Sequence, residues 1–175
     1  MTLNVPARTI RLKGQAEYRD QGETLLSQPG DIVLIFRGQV RSLLMKCPDG
    51  CGETLVINLD ARAGKAWGLM QRQNSLSIYP SVWRDGGCGS HFIVWRNRIL
   101  WCDRWEEDNV EPDYDPMLER RVLHRLKKET FTSVMEIAHE FDEIPWEISR
   151  AARNLVRRGL AEEGRAVLRG SFRRR

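Results

Sequence analysis

Four side chains have the types and spacing to hold a metal ion. Cys47 and Cys51 form C-x3-C within Cys47-Pro48-Asp49-Gly50-Cys51-Gly52, and Cys88 and His91 form C-x2-H within Gly86-Gly87-Cys88-Gly89-Ser90-His91. Zinc takes four thiolate or imidazole ligands in a tetrahedron, commonly delivered in close pairs by two tight turns. The glycines on both turns let the backbone curl so that its amides point at the thiolates. The bland alternative is a set of buried free thiols, since free cysteine is among the most buried residue types. Two pairs, each on a glycine turn, favour the metal, with zinc first and iron left open. Cys102 competes for the fourth position. It follows the apolar run Ile99-Leu100-Trp101 without a turn, so it reads as packed core, and the ligand set expected is Cys47, Cys51, Cys88 and His91. Such a closed site leaves no open position for water and is structural.

Ser90 lies between two of these ligands. A nucleophilic serine needs a base within hydrogen-bonding reach and a group that orients the base. A zinc-bound His91 cannot accept that proton, so the Ser90 hydroxyl is expected to cap the turn. No catalytic residue is assigned. Trp67, Trp83, Trp95, Trp101 and Trp105 could form a stacking platform, but aromatics on alternating strands more often fill a core. Trp95 and Trp101 fit that reading, and Trp83, in Trp83-Arg84-Asp85-Gly86, is the candidate for an exposed contact.

The elements that must position these residues read as a small β domain. Asp31-Ile32-Val33-Leu34-Ile35-Phe36 is a dense β-branched run ending at Arg37-Gly38. Val40 to Met45 and Thr54 to Leu59 flank the first cysteine turn. Ser75 to Tyr79, His91 to Trp95 and Ile99 to Cys102 follow, the last two joined by a turn at Arg96-Asn97-Arg98. Residues 1–28 carry no clear pattern.

Cys47-Pro48-Asp49-Gly50-Cys51-Gly52-Glu53, Trp67, Ser75-Leu76, Tyr79-Pro80-Ser81, Cys88-Gly89-Ser90-His91-Phe92 and Trp101, in that order, resemble an uncharacterised bacterial domain family. Its members are often encoded beside ubiquitin-like proteins and E1-like adenylyltransferases. The resemblance covers about residues 30–102. It implies a metal-binding domain and a link to ubiquitin-like conjugation or phage defence, and it supplies no established activity.

Residues 106–116 form an acidic run with two prolines and no apolar periodicity, which reads as a linker. Beyond it the pattern turns helical. Asp115 and Pro116 can open a helix bearing Leu118, Val122, Leu123 and Leu126. Ser133 and Glu136 fit a capping box before Val134, Ile137, Ala138 and Phe141. A third helix runs from Pro145 to Arg158 with Gly159 as its stop, and Leu160–Glu163 and Ala166–Arg169 read as two strands of a hairpin. Three helices and a hairpin is the winged helix-turn-helix order. Ile137-Ala138, Ala151-Ala152-Arg153-Asn154-Leu155 and Arg158-Gly159-Leu160 resemble the winged helices of many bacterial regulators over about residues 117–170.

The formal charge of +4 is unevenly placed: residues 1–116 hold 14 Lys/Arg against 15 Asp/Glu, and residues 117–175 hold 14 against 9. The basic excess, with Arg150, Arg153, Asn154 and Arg157 on the third helix and Arg165 and Arg169 on the hairpin, marks a candidate nucleic-acid surface, DNA before RNA. Protein contact is the competing use.

The expectation is an α+β chain: a zinc-stabilised antiparallel β domain at 1–105, an acidic linker at 106–116, a winged helix-turn-helix at 117–170 and a basic tail at 171–175. Its expected role is non-enzymatic, an adaptor or regulator binding a protein partner and nucleic acid. The alternative is an accessory component of a bacterial ubiquitin-like conjugation or phage-defence system, whose partner is a ubiquitin-like or E1-like protein. At 41% hydrophobic and 30% charged, with no apolar run long enough to span a bilayer, it is expected in the cytoplasm, away from membranes.

Overall fold

The computed structural model describes residues 5–102 and 115–175. The chain divides into two compact units, Met1–Val110 and Glu111–Arg175. The expected linker lies outside the described residues apart from Asp115 and Pro116, as does Trp105.

The first unit holds β1 (Arg11–Ala16), α1 (Arg19–Glu23), β2 (Asp31–Phe36), β3 (Val40–Lys46), β4 (Thr54–Asn58), β5 (Gly68–Arg72), β6 (Ser75–Trp83), β7 (His91–Trp95) and β8 (Arg98–Trp101). They form two four-stranded sheets, β1-β2-β3-β4 and β5-β6-β7-β8. Ile32, Leu34, Leu43, Met45, Leu55 and Ile57 from the first sheet pack with Leu76, Ile78, Val82, Phe92, Val94 and Ile99 from the second. The other face of the first sheet carries Val33, Ile35 and Leu44, which cluster with Leu26. A strand buried on both faces has no polar alternation to keep, and so β2 is an unbroken apolar run.

The first sheet departs from the expected purely antiparallel pairing, because β1 runs parallel to β2. The short α1 provides the crossover that a parallel pair requires. Its Gly22 lies against Leu44, Ile35 and Val33, where a Cβ would come within 2.9–3.2 Å of their methyl groups. The turn between β7 and β8 is as expected: Arg96 and Asn97 both adopt positive φ, 46° and 66°, the conformation a two-residue hairpin with right-handed twist needs.

Asp31, at the start of β2, is 1% exposed. Burial alone would raise its pKa. The backbone N–H groups of Gln28 and Ser27, the Arg11 guanidinium and the Ser27 hydroxyl together outweigh burial and hold it at about 2, against an ordinary 3.8. A carboxylate whose folded pKa is depressed stabilises the fold above the unfolded value, and that contribution is lost as pH falls through the folded one. The shift corresponds to about 2 kcal/mol. Asp31→Asn should therefore lower stability by about that much at pH 7 in urea titrations, and it should flatten the wild-type loss of stability between pH 4 and 2.

The second unit holds α2 (Pro116–Arg125), β9 (Thr132–Ser133), α3 (Val134–Phe141), α4 (Pro145–Arg157), β10 (Ala161–Glu163) and β11 (Ser171–Arg174), with the sheet ordered β10-β11-β9. Its helix starts follow from the sequence: the Asp115 carboxylate accepts from Met117 N, and the Ser133 hydroxyl accepts from Glu136 N at 3.1 Å. Leu118, Val122, Ile137, Ile148, Ala151, Leu155 and Phe172 make the core. Two expectations are corrected here. Ala166–Leu168 is a 3-10 turn, not a strand. The returning strand is Ser171–Arg174, which was expected to be a basic tail; it pairs with both β10 and β9 and buries Phe172 completely.

Candidate active site and cysteine cluster

The β3–β4 turn begins as Cys47 leaves the first sheet. Its Gly50 and Gly52 take φ of 84° and 88°, open to glycine and costly to residues with a Cβ. The β6–β7 loop brings Cys88 to the same place through Gly89, at φ 71°. The Arg84 guanidinium on this loop pairs with the Glu53 carboxylate beside the first turn, so an ion pair links the two cysteine-bearing segments.

Cys47, Cys51 and Cys88 place their sulfurs within 4.8 Å of one another. Zinc–thiolate bonds of about 2.3 Å in a tetrahedron imply sulfurs about 3.8 Å apart, and Cys47 and Cys88 lie 3.6 Å apart. Three thiols on two turns at this spacing could hold a metal ion. Burial pushes the Cys47 thiol up to about 12 and raises Cys51 as well. Burial acts in the same direction on Cys88. There, hydrogen bonds from the Ser90 hydroxyl and backbone, together with the neighbouring thiols, overcome it and leave the pKa below the ordinary thiol value.

His91 stands outside this cluster. Its Nε2 is 3.0 Å from the Ser81 hydroxyl oxygen, and its ring lies 5.8 Å from that of Trp83. Strand geometry explains the difference from the expected C-x2-H ligand pair, because successive side chains leave a strand on opposite faces. At the entry to β7, Ser90 turns inward, 3% exposed, with its hydroxyl 2.8 Å from the Cys88 sulfur and 3.6 Å from that of Cys47. His91, the first residue of β7, meets Ser81 instead. Cys102 lies just beyond β8, half-buried, where its N–H donates to the His91 carbonyl at 2.9 Å.

Pairing of β6 with β7 brings Ser81 to His91. Trp83 lies opposite His91, and the register shifts between Ile78 and Val82. That irregularity frees Ser81 from regular pairing, and such bulges characteristically re-aim a side chain. The Trp67 indole N–H donates to the Ser81 carbonyl at 3.2 Å and anchors the bulge. Both Ser81 and His91 are half-buried, and Trp83 beside them is 63% exposed, so the pair is reachable from solvent. With the ring proton on Nδ1, His91 Nε2 accepts from the Ser81 hydroxyl, an arrangement in which imidazole can remove the proton of an attacking oxygen. Ser81 has no signature in the sequence beyond its place after Tyr79-Pro80.

The nucleic-acid candidates fall in the second unit. Arg153 and Arg157 are exposed on α4, Arg150 and Asn154 are half-buried there, and Arg165 and Arg169 are exposed between β10 and β11.

Residues 18–102 match a family model described as bacterial ubiquitination-like system serine protease (BubE). The match takes in a little under half of the chain and contains the cysteine cluster, Ser81 and His91. A comparison with curated proteins and one with solved structures return no match. The matched family agrees with the link to bacterial ubiquitin-like systems that the cysteine and Cys-Gly-Ser-His-Phe motifs suggested. It overturns the expectation of a protein without enzymatic activity, because the family it describes is one of serine proteases. Among the described residues no helix is long and apolar enough to cross a membrane.

Proposed function

We propose that the first unit is a serine hydrolase acting on a protein component of a bacterial ubiquitination-like system, with Ser81 as nucleophile and His91 as base. The observation that carries this reading is the 3.0 Å contact between Ser81 Oγ and His91 Nε2 inside the segment that matches a serine protease family. His91 takes the hydroxyl proton as Ser81 Oγ attacks the scissile carbonyl, and a tetrahedral intermediate forms. The imidazolium returns the proton to the departing amine, leaving an acyl ester on Ser81. Water, activated by the same nitrogen, then releases the carboxylate and restores the hydroxyl. Ser90 takes no part, because its hydroxyl is spent on the cysteine sulfurs.

Zinc is the metal that three clustered thiols fit best, and the role proposed for it is to tie the two cysteine turns together. Cys47, Cys51 and Cys88 would hold it, with the Ser90 hydroxyl against the cluster supporting the Cys88 thiolate. The clamp steadies the β6–β7 loop, from which His91 enters β7. Loss of the Ser90 hydroxyl should therefore weaken metal binding by about 10–100-fold, as removal of a supporting hydrogen bond commonly does. Competition with a chromophoric chelator would read this in Ser90→Ala.

The proposal is tested by incubating the full chain with the ubiquitin-like protein of the same system, carrying a short C-terminal extension, and following intact masses. Cleavage at one peptide bond is the expected result. An uncut substrate, under conditions where the metal-loaded protein is folded, would contradict the reading.

A further inference from the structure

We infer that the second unit is a winged helix that binds duplex DNA through the exposed side of α4 and the β10–β11 loop, a function separate from the hydrolytic site. Ile148, Ala151, Ala152 and Leu155 turn one side of α4 into the core of the unit. The other side lines an open groove of about 510 Å³, formed by Trp146, Ser149, Arg150, Arg153, Val156 and Arg157. At 1.5 Å per residue, the 13 residues of α4 span about 20 Å, and the major groove, about 12 Å wide, admits such a helix. Arg150, Arg153 and Arg157 recur at intervals of three and four, so they share one stripe.

Several arginines elsewhere in the unit meet carboxylates closely: Arg125 with Glu140 at 2.6 Å and Glu136 at 2.9 Å, Arg158 with Glu119 at 2.6 Å, and Arg173 with Glu162 at 2.6 Å. On α4, Arg153 is 3.6 Å from Glu163 and Arg150 is 4.0 Å from Glu147. Arg153 and Arg157 are exposed on this stripe, and a phosphate binds Arg by paired charge-assisted hydrogen bonds. The β10–β11 loop adds exposed Arg165 and Arg169 around Val167, which is 97% exposed. In helix-turn-helix docking the recognition helix enters the major groove, and a basic loop beside it suits the flanking phosphates. The helix–strand–helix–helix–strand–strand order of the unit puts α4 and that loop in the matching places of the chain.

The test is fluorescence anisotropy of the full chain with a labelled 20-base-pair duplex at several salt concentrations. Wild type should bind at 50 mM salt, with affinity falling steeply toward 200 mM. The triple variant Arg150→Gln/Arg153→Gln/Arg157→Gln should bind at least tenfold more weakly, and its salt slope should be shallower by about 3, close to one unit per lost phosphate contact. A second triple variant, Arg120→Gln/Lys127→Gln/Lys128→Gln, removes the same charge from exposed positions on and after α2 and should change affinity less than threefold. Both should retain the wild-type circular-dichroism melt and cleave substrate at the wild-type rate. Absence of binding by wild type at 50 mM salt would overturn the inference. So would equal weakening by the two triples, which would reduce the effect to net charge, or a preference for RNA of the same length.

Discussion

Replacing Ser81 with alanine should lower hydrolysis by at least about 10⁴-fold while leaving the thermal melt unchanged. The magnitude follows from systems in which a nucleophile and its base act as a unit, where loss of either removes most of the rate beyond what binding alone supplies. His91→Ala should cost about as much, and the double variant little more than either single one, because each substitution disables the same proton transfer. KM should move far less than kcat in Ser81→Ala, since the hydroxyl contributes to the attacking step and little to holding the substrate. Ser90→Ala provides the contrast. Its side chain sits on the Cys88 and Cys47 sulfurs, so with the metal site saturated it should keep activity within about tenfold of wild type. Steady-state kinetics on the four variants under saturating metal discriminates these outcomes. Loss of activity in Ser90→Ala with retention in Ser81→Ala would reverse the assignment of roles.

The second large effect concerns the metal proposed at the cysteine cluster. Stripping it with a strong chelator should lower the melting temperature of the first unit by roughly 15–30 °C. A ligand present at a thousand times its Kd contributes about 4 kcal/mol, and a domain of about 100 residues shifts by about 4–8 °C per kcal/mol. Re-addition of zinc should restore the melt. Cys88→Ala should reproduce the chelated state and no longer respond to zinc, and its metal content should fall well below that of wild type. The thiols make this affinity pH-dependent. Cys47, at about 12, and the raised Cys51 are protonated at neutral pH and must each release a proton to become ligands. Because metal binding releases these protons, the apparent metal affinity should rise by at least about tenfold per unit of pH through the neutral range. The stabilisation by metal therefore grows as pH rises and fades as it falls, opposite in direction to a destabilisation driven by deprotonation. Calorimetric melts at fixed free zinc between pH 6 and 8 would show it.

The cysteine cluster was legible because its information is local. Cys47 with Cys51, and Cys88 on its own turn, carry the glycines that a ligand turn requires, and the structure brings all three together. C-x2-H spacing suggests two ligands on one turn, but His91 is the first residue of β7 and its Nε2 lies 3.0 Å from the Ser81 hydroxyl. Ser81 was out of reach for the opposite reason. A serine after proline has no pattern of its own, and it gains chemistry only when antiparallel pairing and a bulge set it beside a histidine ten residues later.

The same division runs through the fold. The strand of residues 31–36 was plain because burial on both faces fills it with β-branched side chains. The strand of residues 11–16 was not, because Arg11-Leu12-Lys13-Gly14-Gln15-Ala16 is largely exposed at a sheet edge and has no apolar face to announce it. At the other end, Ser171-Phe172-Arg173-Arg174 looked like a charged tail, since a four-residue strand needs only one inward side chain, and Phe172 provides it. Helix caps at Asp115 and Ser133 were readable because capping is settled within three or four residues.

The Ser81 hydroxyl, activated by His91, is the proposed attacking group. Its most direct test is covalent trapping with a fluorophosphonate probe, followed by peptide mapping in wild type, Ser81→Ala and Ser90→Ala. The expected result is a single adduct on Ser81 that persists in Ser90→Ala and vanishes in Ser81→Ala. An adduct on Ser90, or labelling that survives in Ser81→Ala, would contradict it.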